Sequence, residues 1–326
     1  MIWLYLLVLV SSFVITGIYR KIAIKKSILD IPNIRSSHSV PTPIGGGIAI
    51  AITWYAGIIY LFLIHKVPIH LFYALLFGLP LVIVSMIDDI KNVSPKIRLI
   101  IQFFSAMGGL YFIGGFKLLD LGFIQWHQSG LFSVLAVFGI IWFINLYNFL
   151  DGIDAYASVE AVFISLALFY FTHDPVLLVI VCAVAGFLYW NRPKAKIFMG
   201  DTGSTLLGYT LIILGIYYNN TGELNFIYWL ILSSLFWFDA TLTLYRRWRN
   251  KEKLSVAHKN HAYQRIVQAG YSHGKTVLWA TVINLFFFLT IILFKRLNIP
   301  GFVLFFIVLF INYGIVKMID KKKSFA

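Results

Sequence analysis

A chain of 326 residues that is 60% hydrophobic and only 12% charged lies far from the roughly 25% charged residues of a soluble domain, and a water-soluble globular protein is excluded. The net charge of +14 raises nucleic acid as a partner, but the basic residues are placed as membrane topology signals, so no nucleic acid is expected. The single cysteine, Cys182, lies in an apolar run, which leaves neither an internal disulfide nor a cysteine metal cluster.

Apolar windows close to the 20 or so residues that cross a bilayer recur along the whole chain. About eleven are predicted, at approximately 1-20, 44-64, 69-87, 97-116, 131-148, 157-172, 175-190, 204-219, 225-245, 276-295 and 299-318. The runs are continuous rather than alternating, which argues against a β-barrel. The expected fold is all-α: a polytopic integral membrane protein with one membrane-embedded domain over 1-326.

The first window has no basic residue ahead of it and no small-residue cleavage pattern behind it, so it reads as a retained helix rather than a signal peptide. With the N-terminus outside, only Lys66, Lys117, Lys295 and Arg296 of the 27 basic residues fall on the outer side. The positive-inside rule then places the C-terminus in the cytoplasm, with cytoplasmic loops at about 20-43, 88-96, 149-156, 191-203 and 246-275. Membrane lipids with anionic head groups are a second use for this charge.

The first inner loop carries three prolines and three glycines in DIPNIRSSHSVPTPIGGG, residues 30-47, which predicts an ordered turn. Gly45, Gly46 and Gly47 suit either close helix packing or a phosphate-facing role, and the spacing is not that of a Walker loop. The next inner turn holds Asp88 and Asp89 directly on the end of an apolar run. A charge drawn toward the bilayer centre costs roughly 2.5 to 3.5 kcal/mol, so a functional pair is favoured over a solvated loop.

The fifth window ends in NLYNFLDGID, residues 145-154. Asn145, Asn148, Asp151 and Asp154 are spaced by three, so neighbouring members share a helix face. Capping explains one or two such residues and not four. Amide and carboxylate oxygens together suit a hard cation such as Mg2+, or a sugar with its phosphates.

Further on, FMGDTGS at 198-204 sets Asp201 at the start of a new apolar helix. Helix starts bind anions, yet Asp201 would repel a bare phosphate, and a metal bridging the two removes the conflict. Phe198 suits packing or the stacking of a base. Asp239, inside the ninth window, is either a polar site or a salt-bridge partner. His258 and His261 with Arg265 form a basic cluster in the longest inner loop; zinc is a poor fit without further ligands, and phosphate is a better one.

Five motifs in order resemble the polyprenyl-phosphate N-acetylhexosamine-1-phosphate transferase family, also called glycosyltransferase family 4: RSSH…PTPxGGG at 35-47, DDIK at 88-91, NxxNFxDGID at 145-154, FMGDTGS at 198-204 and HxxHAYQ at 258-264. Lys91 falls one position ahead of the family's DDxxK, and Ile44 stands where many relatives carry a basic residue. The HxxHAYQ form looks most like the branch that starts O-antigen or other surface glycans with FucNAc or QuiNAc.

The resemblance implies an enzyme of the bacterial inner membrane with its active site facing the cytoplasm. It would transfer HexNAc-1-phosphate from a UDP-N-acetylhexosamine to undecaprenyl phosphate, releasing UMP, with Mg2+ as cofactor and a homodimer as a possible assembly. Catalytic roles would fall to Asp88, Asp89 and Lys91. Metal binding would fall to Asp201 and Asn148, and substrate binding to Asn145, Asp151, Asp154, Phe198, His258, His261 and Arg265. A transporter or lipid flippase with a carboxylate-lined site is the alternative; such proteins carry polar sites near the midplane, whereas these acids gather at inner helix ends.

Overall fold

The computed structural model describes residues 1-32, 38, 40-120, 125-127, 130-254 and 258-325. The Arg35-Ser36-Ser37 part of the first motif lies outside them. The chain is mostly helical, and each predicted apolar window coincides with a helix or a broken helix.

The first half holds α1 (Ile2–Lys25), α2 (Gly47–Leu63), α3 (Ile69–Leu76), α4 (Leu79–Asp88), α5 (Pro95–Phe112) and α6 (Gly130–Phe149). The second holds α7 (Tyr156–Thr172), α8 (Pro175–Asn191), α9 (Gly200–Thr221), α10 (Phe226–Leu232), α11 (Ser234–Arg249), α12 (Ala262–Gln268), α13 (His273–Arg296) and α14 (Gly301–Lys322). By length and composition five are able to cross a membrane: α1, α3 with α4, α6, α13 and α14, and α10 with α11 makes a sixth if that bent pair is one span. Large apolar side chains such as Trp3, Tyr111 and Phe310 stand 78–79% exposed on the outer faces, as suits contact with lipid.

Two short antiparallel ladders depart from an all-helical chain: β1 (Leu29–Asp30) with β2 (Thr42–Pro43), and β3 (Leu118–Asp120) with β4 (Gln125–His127). Local chemistry sets several helix starts. Ser94 accepts from Ile97 N ahead of Pro95, and Asp174 from Val176 N ahead of Pro175, each satisfying a donor that the first turn leaves unpaired. The ninth window departs from one straight span: α10 and α11 meet at 76°, and Trp237 Nε1 donates to Leu230 O at 2.7 Å across the break.

The helix at the centre is α9, in which every residue from Thr202 to Asn219 is buried. A Cβ on Gly47 would collide with the backbone of Gly203, and one on Gly208 would press on α6 at Ile144 and Tyr147. The glycines of the first motif therefore serve close packing: Gly46 N and Gly47 N donate to Phe198 O and Met199 O at 2.9 and 2.8 Å. This zips the first loop onto the start of α9. Phe198 N completes the seam on Pro43 O at 2.8 Å.

Candidate active site

Residues of the DDIK, NLYNFLDGID and FMGDTGS stretches meet around the N-terminus of α9. Asp201 lies in its first turn. Its Oδ1 accepts from Asn148 Nδ2 at 2.8 Å, and its Oδ2 from Arg98 Nη1 at 3.1 Å. The same Arg98 nitrogen reaches Asp88 Oδ2 at 2.6 Å, and Asp88 Oδ1 accepts from Val93 N at 2.6 Å. One guanidinium thus bridges two carboxylates from separate helices, supplying the counter-charge that two facing acids require.

Asp89 has a different position. Its Oδ1 accepts from Asp201 N at 2.8 Å, and its Oδ2 from Thr202 N at 3.3 Å and Thr202 Oγ1 at 2.7 Å. It caps α9 from another helix, where no side chain of the N-cap residue Met199 does so. Burial pushes the Asp89 carboxyl up, against the pull of these hydrogen bonds.

Asp151 sits in the turn that follows α6 and makes no side-chain hydrogen bond or ion pair within the described residues. Its partial burial and the nearby charges of Asp201, Asp89 and Asp154 push its carboxyl well above the usual range. Gly152 beside it has no room for a Cβ, which would strike Tyr263 Oη; α12 packs directly on this turn, with Tyr263 Oη donating to Phe149 O at 3.0 Å.

On the other side of α9's start lies a cavity of about 700 Å3, lined by Arg20, His38, Asp154, Lys194, Lys196 and Phe198 among others. The half-buried Phe198 ring meets His38 edge-on at 4.8 Å. Asp154 Oδ2 accepts from Lys194 N at 3.0 Å and Ala195 N at 3.3 Å and stands 3.1 Å from His273 Nδ1. Burial raises the Asp154 carboxyl, but the His273 contact and the two backbone donors outweigh it and leave it below its ordinary value.

Several expectations are corrected by this geometry. Lys91 is exposed and makes none of these contacts; the cation at the Asp88 carboxylate is Arg98. Asn148 turns its amide nitrogen, not its oxygen, toward Asp201 and donates also to Ser204 Oγ at 3.0 Å, so it orients the carboxylate. Asn145 exchanges hydrogen bonds with Gln102 at 2.8 and 3.3 Å and lines a small pocket with Arg98, Asn148 and Asp201.

His258, His261 and Arg265 belong to a second polar cluster. Arg265 is buried, pairs with Asp320 at 2.6 Å and donates to Asn260 O and Lys323 O. His261 is the N-cap residue of α12, and burial with the nearby Arg247 and Arg265 charges holds it down to about 3. Burial likewise takes His258 down to about 4. Asp239 is neither a free site nor a simple salt-bridge partner: it accepts from Ala262 N at 2.8 Å and Tyr263 N at 3.3 Å and caps α12 from α11.

Arg98 is the residue that sequence reasoning counted only as topology charge. A cation in the first turn of a helix opposes the dipole there, and that signal marks it. His273, which holds Asp154, carried no such mark.

The sequence profile of glycosyl transferase family 4 matches residues 71–219. A probable undecaprenyl-phosphate N-acetylglucosaminyl 1-phosphate transferase of Bacillus subtilis (strain 168) is 30% identical over 329 residues, covering 94% of this chain and 89% of that protein. The undecaprenyl-phosphate alpha-N-acetylglucosaminyl 1-phosphate transferases of Yersinia pestis and Escherichia coli (strain K12) are 30% and 29% identical, over 90% and 84% of this chain and 85% and 79% of theirs. With the Asp88, Asp151 and Asp201 motifs gathered around one helix start and this likeness along nearly its whole length, the chain belongs to the polyprenyl-phosphate N-acetylhexosamine-1-phosphate transferase family.

Proposed function

We propose that this protein transfers a HexNAc-1-phosphate from a UDP-N-acetylhexosamine to undecaprenyl phosphate at the cytoplasmic face of a bacterial inner membrane. The acceptor phosphate oxygen bonds to the β-phosphorus of the donor, the bond from that phosphorus to the bridging oxygen breaks, and UMP leaves. The products are UMP and a lipid-linked diphosphate sugar that begins a surface glycan. The observation that carries this reading is the meeting of Asp88, Arg98 and Asp201 at the start of α9, three residues on from Phe198, which lines the neighbouring cavity.

The relatives' names supply the lipid acceptor and the N-acetylglucosaminyl 1-phosphate group. The cavity suits a nucleotide diphosphate: Phe198 offers a ring face for the base, and Arg20, Lys194 and Lys196 offer positive charge. Asp154 holds the Lys194–Ala195 backbone in place at this wall. Arg98 keeps Asp88 and Asp201 from repelling incoming phosphates, and Asp89 fixes where the Asp201 backbone sits. The acceptor's second ionisation lies near pH 6, so a direct attack needs little base, and Asp88, paired with Arg98, orients the acceptor phosphate.

Mg2+ fits the residues present. Among the described residues no three His, Cys, Asp or Glu side chains form a complete metal cage, but Mg2+ usually takes one or two carboxylates with waters and substrate phosphates. Asp201 would hold it, with the unpartnered Asp151 carboxylate as the second oxygen donor and Asn148 steadying Asp201. When bound it supplies neutralisation of charge on the transferring phosphates.

The orientation we infer is eleven crossings with the N-terminus outside, supported by the distribution of lysine and arginine. The relatives' names favour GlcNAc, while the HxxHAYQ form favours a deoxy-aminosugar. UMP release with undecaprenyl phosphate and a panel of UDP-N-acetylhexosamines tests the reaction and decides the sugar; silence across the whole panel would refute the transferase reading.

A further inference from the structure

A second cavity of about 350 Å3 lies among α11, α12, α13 and α14, within the size range of small-molecule sites. It shares no lining residue with the Phe198 cavity and includes none of Asp88, Arg98, Asp151 or Asp201. Its walls are mostly apolar, built from Leu235, Phe238, Ile266, Ala280, Ile283 and Ile319 among others, with the amide of buried Asn312 and the hydroxyl-bearing side chain of Thr276 also on the lining. Asp239 reaches this wall too, but its oxygens are taken by the α12 backbone.

Two features identify the occupant. Trp279 and Met318 line the cavity and are 61% and 66% exposed, on α13 and α14, both of which qualify as membrane spans. The mouth therefore opens sideways to the hydrocarbon of the bilayer. At one end the lining includes Tyr271 and Lys322, with Lys322 Nζ 5.6 Å from the Tyr271 ring centroid. Lys322 has no carboxylate partner among the described residues, since the nearby Asp320 is taken by Arg246 and Arg265.

An apolar slot open to lipid and ending at an unpaired ammonium matches an acyl chain attached to a phosphate. We propose that the slot holds one acyl chain of an anionic glycerophospholipid whose phosphate rests on Lys322. The polyprenyl acceptor is not the occupant, because its phosphate must reach the carboxylates at α9, and none of them borders this slot. The slot does border α12 at Ala262, Tyr263 and Ile266, and Tyr263 also packs on Gly152 beside Asp151. A lipid here buttresses the turn that carries Asp151, and so couples activity to the charge of the membrane. The binding claim is independent of the reaction, whereas the coupling rests on the transferase reading.

The test compares the full-length protein with Lys322→Gln, Lys322→Arg and Ala280→Phe, each reconstituted in phosphatidylcholine vesicles with or without phosphatidylglycerol. Native mass spectrometry reads retained lipid, and UMP release reads the coupling. Wild type and K322R should retain one phosphatidylglycerol per chain and release UMP faster when it is present. K322Q should retain it about fivefold less, the worth of one lysine near an anionic surface. A280F, which fills the slot, should retain none, and neither of these two should respond to phosphatidylglycerol while the KM for undecaprenyl phosphate stays unchanged.

If A280F does not fold by thermal denaturation, the K322Q and K322R pair carries the comparison. Equal retention in all variants overturns the proposal. So does a raised KM for undecaprenyl phosphate in K322Q, which would give the slot to the acceptor chain, or a lipid-free dimer that covers Trp279 and Met318. Should wild type release no UMP, the retention result still decides the binding claim.

Discussion

Asp89 and Thr202 are joined by a hydrogen bond of 2.7 Å between the Oδ2 and Oγ1 atoms of residues 113 positions apart. The same carboxylate accepts from the Asp201 and Thr202 backbone, so one side chain closes the N-terminus of the central helix and fixes the residue best placed to hold a metal. Removal of a cap costs about 1 to 2 kcal/mol. Asp89→Ala should lower thermal stability in detergent by that order and also abolish most activity. Thr202→Val, which removes one of the three bonds, should lose roughly 1 kcal/mol and keep more of the rate.

Arg98 gives a prediction of opposite signs. Its guanidinium neutralises Asp88 and Asp201 at 2.6 and 3.1 Å, so Arg98→Gln should slow UMP release at least about tenfold, as expected when a preorganised charge is lost. The same change removes a cation from beside the proposed metal carboxylate. The Mg2+ concentration for half-maximal rate should therefore fall, and Arg98→Lys should lie between the two. A Mg2+ titration of each variant reads both effects.

Gly152 is where α12 approaches the catalytic turn. Gly152→Ala would push a methyl group into Tyr263 Oη, an overpacking that costs typically 1 to 3 kcal/mol. Tyr263→Phe in the same chain should return part of that loss, because the nearest clashing atom is gone. A double-mutant cycle on thermal stability measures the coupling, and additive losses would show that the two do not touch.

The buried histidines set a pH dependence. His261 is held down to about 3 against an ordinary 6.5, so between those values the unfolded chain binds a proton that the folded chain does not. Stability from this group is then fully present above about pH 6.5 and is lost progressively as pH falls below it. Wild type should melt earlier as the buffer is taken from neutral to about pH 5, and His261→Gln should show a shallower decline over that window.

Much of the fold is visible in the sequence because lipid imposes it: long apolar runs, continuous rather than alternating, have few structures open to them. The carboxylates of NLYNFLDGID and of FMGDTGS stood out for the same reason, being costly where they sit. What the sequence hides is partnership. Asp89 and Asp239 look like catalytic or ion-pair candidates, yet each caps a helix supplied by another part of the chain, a relation set only by tertiary packing. Lys91 stood out only through its place in the DDIK motif, whereas the start of α5 folds back to bring Arg98 to both acids. The bend between α10 and α11 follows from no proline, and its freed Leu230 carbonyl finds Trp237, a pairing that periodicity does not reveal.

The central claim is that the carboxylates at the start of α9 carry out a phosphoglycosyl transfer. The direct measurement is UMP release by the purified wild-type protein, Asp201→Asn and Asp151→Asn, with undecaprenyl phosphate, UDP-GlcNAc and related UDP-sugars, and with Mg2+ added or chelated. The account predicts Mg2+-dependent UMP from wild type with at least one sugar, loss of nearly all of it in Asp201→Asn, and a strong reduction in Asp151→Asn. Undiminished release in Asp201→Asn, or movement of an intact substrate across vesicles without any UMP, would contradict it.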